Sequence, residues 1–83
     1  KINNNSCRII SRICTNLQRI SLRGCMNISN EGIIQFAFGC PNLEILNLKN
    51  FLNISNLGIQ EIARKCHNLT FINLSGCIKI TDL

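Results

Sequence analysis

Cys14, Cys40 and Cys66 stand 26 residues apart, and the chain repeats itself around them almost throughout. Cys14-Thr15-Asn16-Leu17 is answered by Cys40-Pro41-Asn42-Leu43 and then by Cys66-His67-Asn68-Leu69. Ile20-Ser21-Leu22 corresponds to Leu46-Asn47-Leu48 and Ile72-Asn73-Leu74. Asn27-Ile28-Ser29-Asn30 corresponds to Asn53-Ile54-Ser55-Asn56 and Lys79-Ile80-Thr81-Asp82. Cys7 and Ile10 fall in the slots of Ile33 and Phe36, so even the first residues obey the period. A fixed period of this length is the mark of stacked supersecondary units. It divides the 83 residues into a partial unit 1–13, units 14–39 and 40–65, and a partial unit 66–83, all within one domain.

Each unit has two textures. Leu43-Glu44-Ile45-Leu46-Asn47-Leu48-Lys49 carries an L-x-x-L-x-L pattern whose alternating part reads as a short strand. From residue 56 to 65 the apolar side chains fall at Leu57, Ile59, Ile62 and Ala63, which is helical spacing with one buried face. Ser29, Ser55 and Thr81 stand where helix N-caps are wanted. A strand–loop–helix unit cannot bury its apolar face alone, so successive units must stack. The expected fold is therefore α/β: a solenoid with a concave parallel β-sheet and convex α-helices. With 46% hydrophobic residues but only 5% aromatic ones, the interior has to be built from Ile, Leu, Phe and Cys. Asn is frequent, and we read that as a compositional habit.

The pattern C-x-x-L-x-x-L-x-L-x-x-C-x-x-I-[ST]-[ND]-x-G-I-x-x-[IF]-A resembles the cysteine-containing leucine-rich repeat. Residues 14–39 follow it nearly position for position, including Gly24-Cys25 and Gly32-Ile33. The second unit departs at Asn50-Phe51, where that family has Gly-Cys, and the third restores Gly76-Cys77. Such repeats are best known as the substrate-binding part of F-box proteins, so the resemblance implies substrate selection within an F-box-type (SCF) ubiquitin ligase. A Skp-type adaptor would then be reached only through an F-box outside this chain. Similar repeats in cytoskeletal or ciliary scaffolds supply the alternative reading. Both ends fall inside a repeat, which suggests a piece of a longer protein.

Six Cys in a short chain raise the question of disulfides. Cys25 and Cys77 share a slot with Phe51, and a slot that accepts Phe is an apolar one, where free Cys acts as a small hydrophobe. Reduced core thiols are expected, and with them an intracellular location, cytoplasmic or nuclear. Sequons at Asn4, Asn27, Asn53, Asn68 and Asn73 would point to secretion and support an extracellular repeat protein as the runner-up. But Asn53 merely repeats Asn27, Asn is common throughout and Asn73 falls in an expected strand. A zinc site is not expected: His67 is the only His and no C-x-x-C pair is present. Nor does any nucleophile–base or paired-carboxylate arrangement stand out among four acids and one His, so no enzyme, cofactor or metal is expected.

If the L-x-x-L-x-L stretch is a strand, Ile20, Leu22, Leu46, Leu48, Ile72 and Leu74 point inward. The alternate residues form three outward ladders: Arg19, Ile45, Phe71; Ser21, Asn47, Asn73; and Arg23, Lys49, Ser75. Large apolar groups at Ile45 and Phe71 are the kind that anchor an interface. Arg19, Arg23 and Lys49 beside them favour an acidic or phosphorylated protein partner. The Asn ladder is expected to bond either a partner's backbone or along the stack. The net charge of +5 is dispersed and lacks interleaved aromatics, which argues against nucleic acid. No apolar run is long enough to span a membrane.

Overall fold

The computed structural model describes residues 2–80. The elements run α1 (Asn4–Ile13), β1 (Arg19–Ser21), α2 (Asn30–Gly39), β2 (Ile45–Asn47), α3 (Asn56–Lys65) and β3 (Phe71–Asn73). The fold is mixed α/β. Its three strands form one parallel sheet in the order β1-β2-β3, and α1 packs on α2 and α2 on α3. The principal extents are 30 × 28 × 17 Å, and the described residues show the α/β layers but not the expected concave–convex solenoid.

The register follows the sequence period. Arg19, Ile20 and Ser21 pair with Ile45, Leu46 and Asn47, which pair in turn with Phe71, Ile72 and Asn73. Pairing extends past the strands through Gly24 N–H to the Lys49 carbonyl (3.0 Å) and Asn50 N–H to the Ser75 carbonyl (2.7 Å). Strand and helix residues share one core. Leu22, Leu46 and Leu48 from the strand segments pack with Ile33, Phe36 and Ala37 of α2 and with Ile59 and Ile62 of α3. Phe51 is fully buried in that core.

Two of the expected apolar positions in α3 do not belong to the buried face: Leu57 and Ala63 are exposed. Leu57 shares its slot with exposed Glu31, on the outer side of the helix. Ala63 shares its slot with Ala37, which is buried because α3 packs against α2. Among the described residues nothing covers the corresponding side of α3.

Each helix ends at a repeated cysteine. The backbone N–H groups of Cys14, Cys40 and Cys66 close the last helical turn on Ile10, Phe36 and Ile62. Their carbonyls then receive the N–H of Leu17, Leu43 and Leu69, which turns the chain toward the next strand. The starts of α2 and α3 are organised less locally than the sequence implied. Ser29 and Ser55 occupy the N-cap positions with extended backbone, but neither side chain caps its own helix. Each is held instead by an Asn from the preceding unit. Asn4 Nδ2 donates to Ser29 Oγ (3.1 Å) while Asn4 Oδ1 accepts from Ser29 N–H (3.0 Å). Asn30 repeats this on Ser55 at 2.8 and 3.1 Å. The third expected cap, Thr81, lies outside the described residues.

This clamp explains the repeated glycine three residues after the Ser. A Cβ on Gly32 would come within 2.5 Å of Asn4 Oδ1, and one on Gly58 within 2.5 Å of Asn30 Oδ1. The frequent Asn is thus a structural device at these two positions, which corrects its reading as compositional habit. A second repeated slot demands a left-handed backbone. Gly24 has φ +68° and Gly76 φ +78°, and Asn50, in the same slot, has φ 59°. Asn is among the few residues with a side chain that tolerate that region, so the Asn50-Phe51 departure keeps the turn.

Candidate functional site

The structure brings the expected outward residues together as three neighbouring ladders. Arg19, Ser21, Ile45, Asn47, Phe71 and Asn73 lie in the strands in direct register. Arg23, Lys49 and Ser75 continue the array at the strand ends, tied by the bonds of Gly24 to Lys49 and of Asn50 to Ser75. Arg19, Ser21, Arg23, Phe71 and Ser75 are exposed. Ile45, Asn47, Lys49 and Asn73 are half-buried. Phe71 stands out, because a phenyl ring on a sheet surface is 54% exposed. The inward set behaves as its alternation requires: Leu22, Leu46 and Leu48 are buried, while Ile20, Ile72 and Leu74 are partly buried against the core.

The Asn ladder has a local use as well. Asn47 Oδ1 accepts from Lys49 N–H and Asn73 Oδ1 from Ser75 N–H, both at 3.0 Å. Each side chain thus satisfies its own strand's backbone two residues on, as short amide side chains do in turns.

Charge on this side is of one sign. Segments 19–28, 45–54 and 71–80 contain Arg19, Arg23, Lys49 and Lys79 and no acid. Glu31 lies in the first turn of α2, and Glu61 in α3 is bridged to Arg64 at 3.0 Å. Glu44 immediately precedes β2, at the opposite end of the strand from Lys49. Lys65 places its ammonium 5.1 Å from the Phe38 ring centroid, so that cation is engaged on the helical side.

All six cysteines are free thiols, and Cys7, Cys40, Cys66 and Cys77 are buried. Cys40 donates its S–H to the Cys14 carbonyl (3.2 Å), Cys66 to the Cys40 carbonyl (3.7 Å) and Cys77 to the Leu48 carbonyl (3.1 Å). Burial pushes Cys7 up to about 11, with the neighbouring Cys25 adding to the rise. Burial also raises Cys40, Cys66 and Cys77. Burial thus favours the neutral thiol, whereas a nucleophile needs the thiolate. Cys14 departs from the expectation of core thiols: it is exposed, because its slot lies at the first helix end, where no earlier unit packs on it among the described residues. Cys25 is half-buried.

His67 is exposed at the turn and its Nε2 bonds the Arg64 carbonyl at 2.8 Å. Among the described residues no three His, Cys, Asp or Glu side chains come together as a metal site would need. Asn4 and Asn53 use their side-chain amides within the fold, Asn53 bonding the Met26 carbonyl at 3.0 Å. No helix among the described residues is long and apolar enough to cross a membrane.

Sequence reasoning passed over one exposed feature. Met26, Leu52 and Ile78 occupy a single repeated slot directly after Cys25, Phe51 and Cys77, and all three are exposed. The period itself was the signal that could have found them. Compared with protein-family models the chain matches none, and compared with curated proteins it again finds no match.

Proposed function

We propose that this chain is a stretch of leucine-rich-repeat solenoid of the cysteine-containing kind, and that it works as a protein-recognition module. The observation that carries the reading is the strand face. Arg19 pairs with Ile45 and Ile45 with Phe71, a largely exposed phenyl ring on a face that also carries Arg19, Arg23 and Lys49. A ring in that position anchors an interface. The surrounding Arg19, Arg23 and Lys49 suit an acidic or phosphorylated protein. Buried neutral thiols that bond neighbouring carbonyls support a non-enzymatic, intracellular repeat, cytoplasmic or nuclear, in which Cys serves the core.

Within that reading, the resemblance points to substrate selection in an F-box-type ubiquitin ligase. The deciding experiment is affinity purification of the full-length protein that carries this chain from its native cells, read by mass spectrometry. Recovery of a Skp-type adaptor and a cullin is the expected result. An Arg19/Ile45/Phe71 triple variant should then keep the adaptor and lose the remaining partners. Recovery of cytoskeletal or ciliary proteins without an adaptor would replace the ligase reading by the scaffold one.

A further inference from the structure

Met26, Leu52 and Ile78 are 72%, 41% and 76% exposed. Single apolar residues on a surface are ordinary, but these three share one position in successive units. Register is kept up to the slot by the backbone bonds of Gly24 to Lys49 and of Asn50 to Ser75. Between the first two units it is carried through the slot by Asn53 Nδ2 on the Met26 carbonyl. The three apolar side chains therefore recur once per unit along the stack, a few residues beyond strands spaced about 5 Å apart. Arg23, Lys49 and Lys79 stand in the same loop segments, which contain no acid.

We propose that these side chains form a ridge that docks an acidic amphipathic α-helix of a partner protein, lying along the stack and across the strand direction. The proposal rests on the chain being a protein-binding module, and adds to the strand face a second surface and the chemistry of what covers it. Pitch selects the helix. Side chains at i, i+3 and i+4 of an α-helix recur every 4.5–6 Å or so, close to the strand spacing. Alternate residues of an extended chain recur about every 6.6 Å and fall out of step within three units. Charge selects the acid: a helix with Leu-type anchors on one face and Glu beside them meets the ridge and its basic neighbours together. An anionic lipid surface would also meet the basic groups, but it has no pitch to match, and the ridge lacks the aromatic residues that favour the headgroup layer.

The test titrates the isotope-labelled chain, followed by NMR, with a synthetic helical peptide of about 20 residues, roughly 30 Å long. The peptide carries Leu at i, i+3, i+4 and i+7 and Glu elsewhere. A counterpart with Lys for Glu, and vesicles of phosphatidylcholine with phosphatidylserine, are run in parallel. The acidic peptide is expected to shift the Met26, Leu52 and Ile78 amides. An M26S/L52S/I78S variant, altered only at exposed positions, should melt like the parent and bind about tenfold or more weakly. An R23E/K49E/K79E variant should come to prefer the Lys peptide. Equal binding of both peptides by the parent, or undiminished binding by the M26S/L52S/I78S variant, overturns the proposal. So does binding of vesicles without binding of the acidic peptide. A Phe71→Ser variant separates the two surfaces. If the peptide shifts Ile45 and Phe71 and is lost with Phe71→Ser, the ridge proposal fails and the strand-face reading stands. If no form of the chain binds the peptide, the ridge proposal fails and the strand face is judged by the native purification alone.

Discussion

Phe51 and Asn50 show how a repeat absorbs an irregular pair. Phe51 occupies the slot of Cys25 and Cys77 and is fully buried, so the larger ring is packed rather than displaced. Phe51→Ala should cost roughly 3–5 kcal/mol in urea unfolding, through lost burial and the cavity left behind. A cost near zero would mean the ring does not fill the core. Asn50 holds the left-handed turn that Gly24 and Gly76 hold in the other units. Asn50→Gly is expected to leave stability within about 0.5 kcal/mol, while Asn50→Val should cost at least about 1–2 kcal/mol, because a branched Cβ clashes in that region. Thermal melts of the two variants side by side check this. The departure was legible in the sequence as a pair, but its meaning was not, because only the backbone angle shows that residue 50 must turn left-handed.

At the level of elements, the junction between helices is the informative unit. Asn30 makes two hydrogen bonds to Ser55, at its Oγ and its backbone N–H, across 25 residues of sequence. Asn30→Ala removes both and leaves a partly buried Ser with lost partners, for an expected loss of about 1–3 kcal/mol. Gly58→Ala should destabilise by a different route, since its Cβ would meet Asn30 Oδ1 at 2.5 Å and Ile54 Cγ1 at 3.1 Å. The two effects share an atom. A double-mutant cycle should therefore show Gly58→Ala costing less in the Asn30→Ala background than in the parent. Equal costs in both backgrounds would show that the glycine serves the packing of Ile54 and not the clamp. Ser29 and Ser55 were correctly placed as helix starts from sequence, yet their role was misread. Local capping rules consider one helix, whereas the amide that claims the Ser comes from the unit before.

Over the whole molecule, stability is tied to four buried thiols whose folded pKa values are raised. Cys7 stands at about 11 against an ordinary 9.0, and Cys40, Cys66 and Cys77 move the same way. The unfolded chain therefore loses its thiol protons first as pH rises. The contribution is fully present below pH 9.0 and is lost progressively toward pH 11. Melting under reducing conditions should show Tm falling across that window, and Cys7→Ala, whatever its own cost, should make the fall shallower. A flat Tm from pH 9.0 to 11 would show that burial does not hold these thiols neutral. The same burial predicts that a thiol reagent at neutral pH modifies Cys14 rapidly and the four buried thiols only on unfolding.

The period of 26 residues carried the α/β class, the parallel register and the inward leucines, because a repeat states its own alignment and alternation states which face is buried. It also placed all nine strand-face candidates, from Arg19 to Ser75, in their ladders. What needed the folded chain was everything that depends on the neighbour one unit away. The Asn clamps on Ser29 and Ser55, the S–H bonds between successive cysteines and the exposure of Cys14, Leu57 and Ala63 all belong to that class. So does the shared exposure of Met26, Leu52 and Ile78, which look like unrelated apolar residues until burial is known. A linear pattern encodes which side chains a unit presents. Only packing decides which of them the next unit covers.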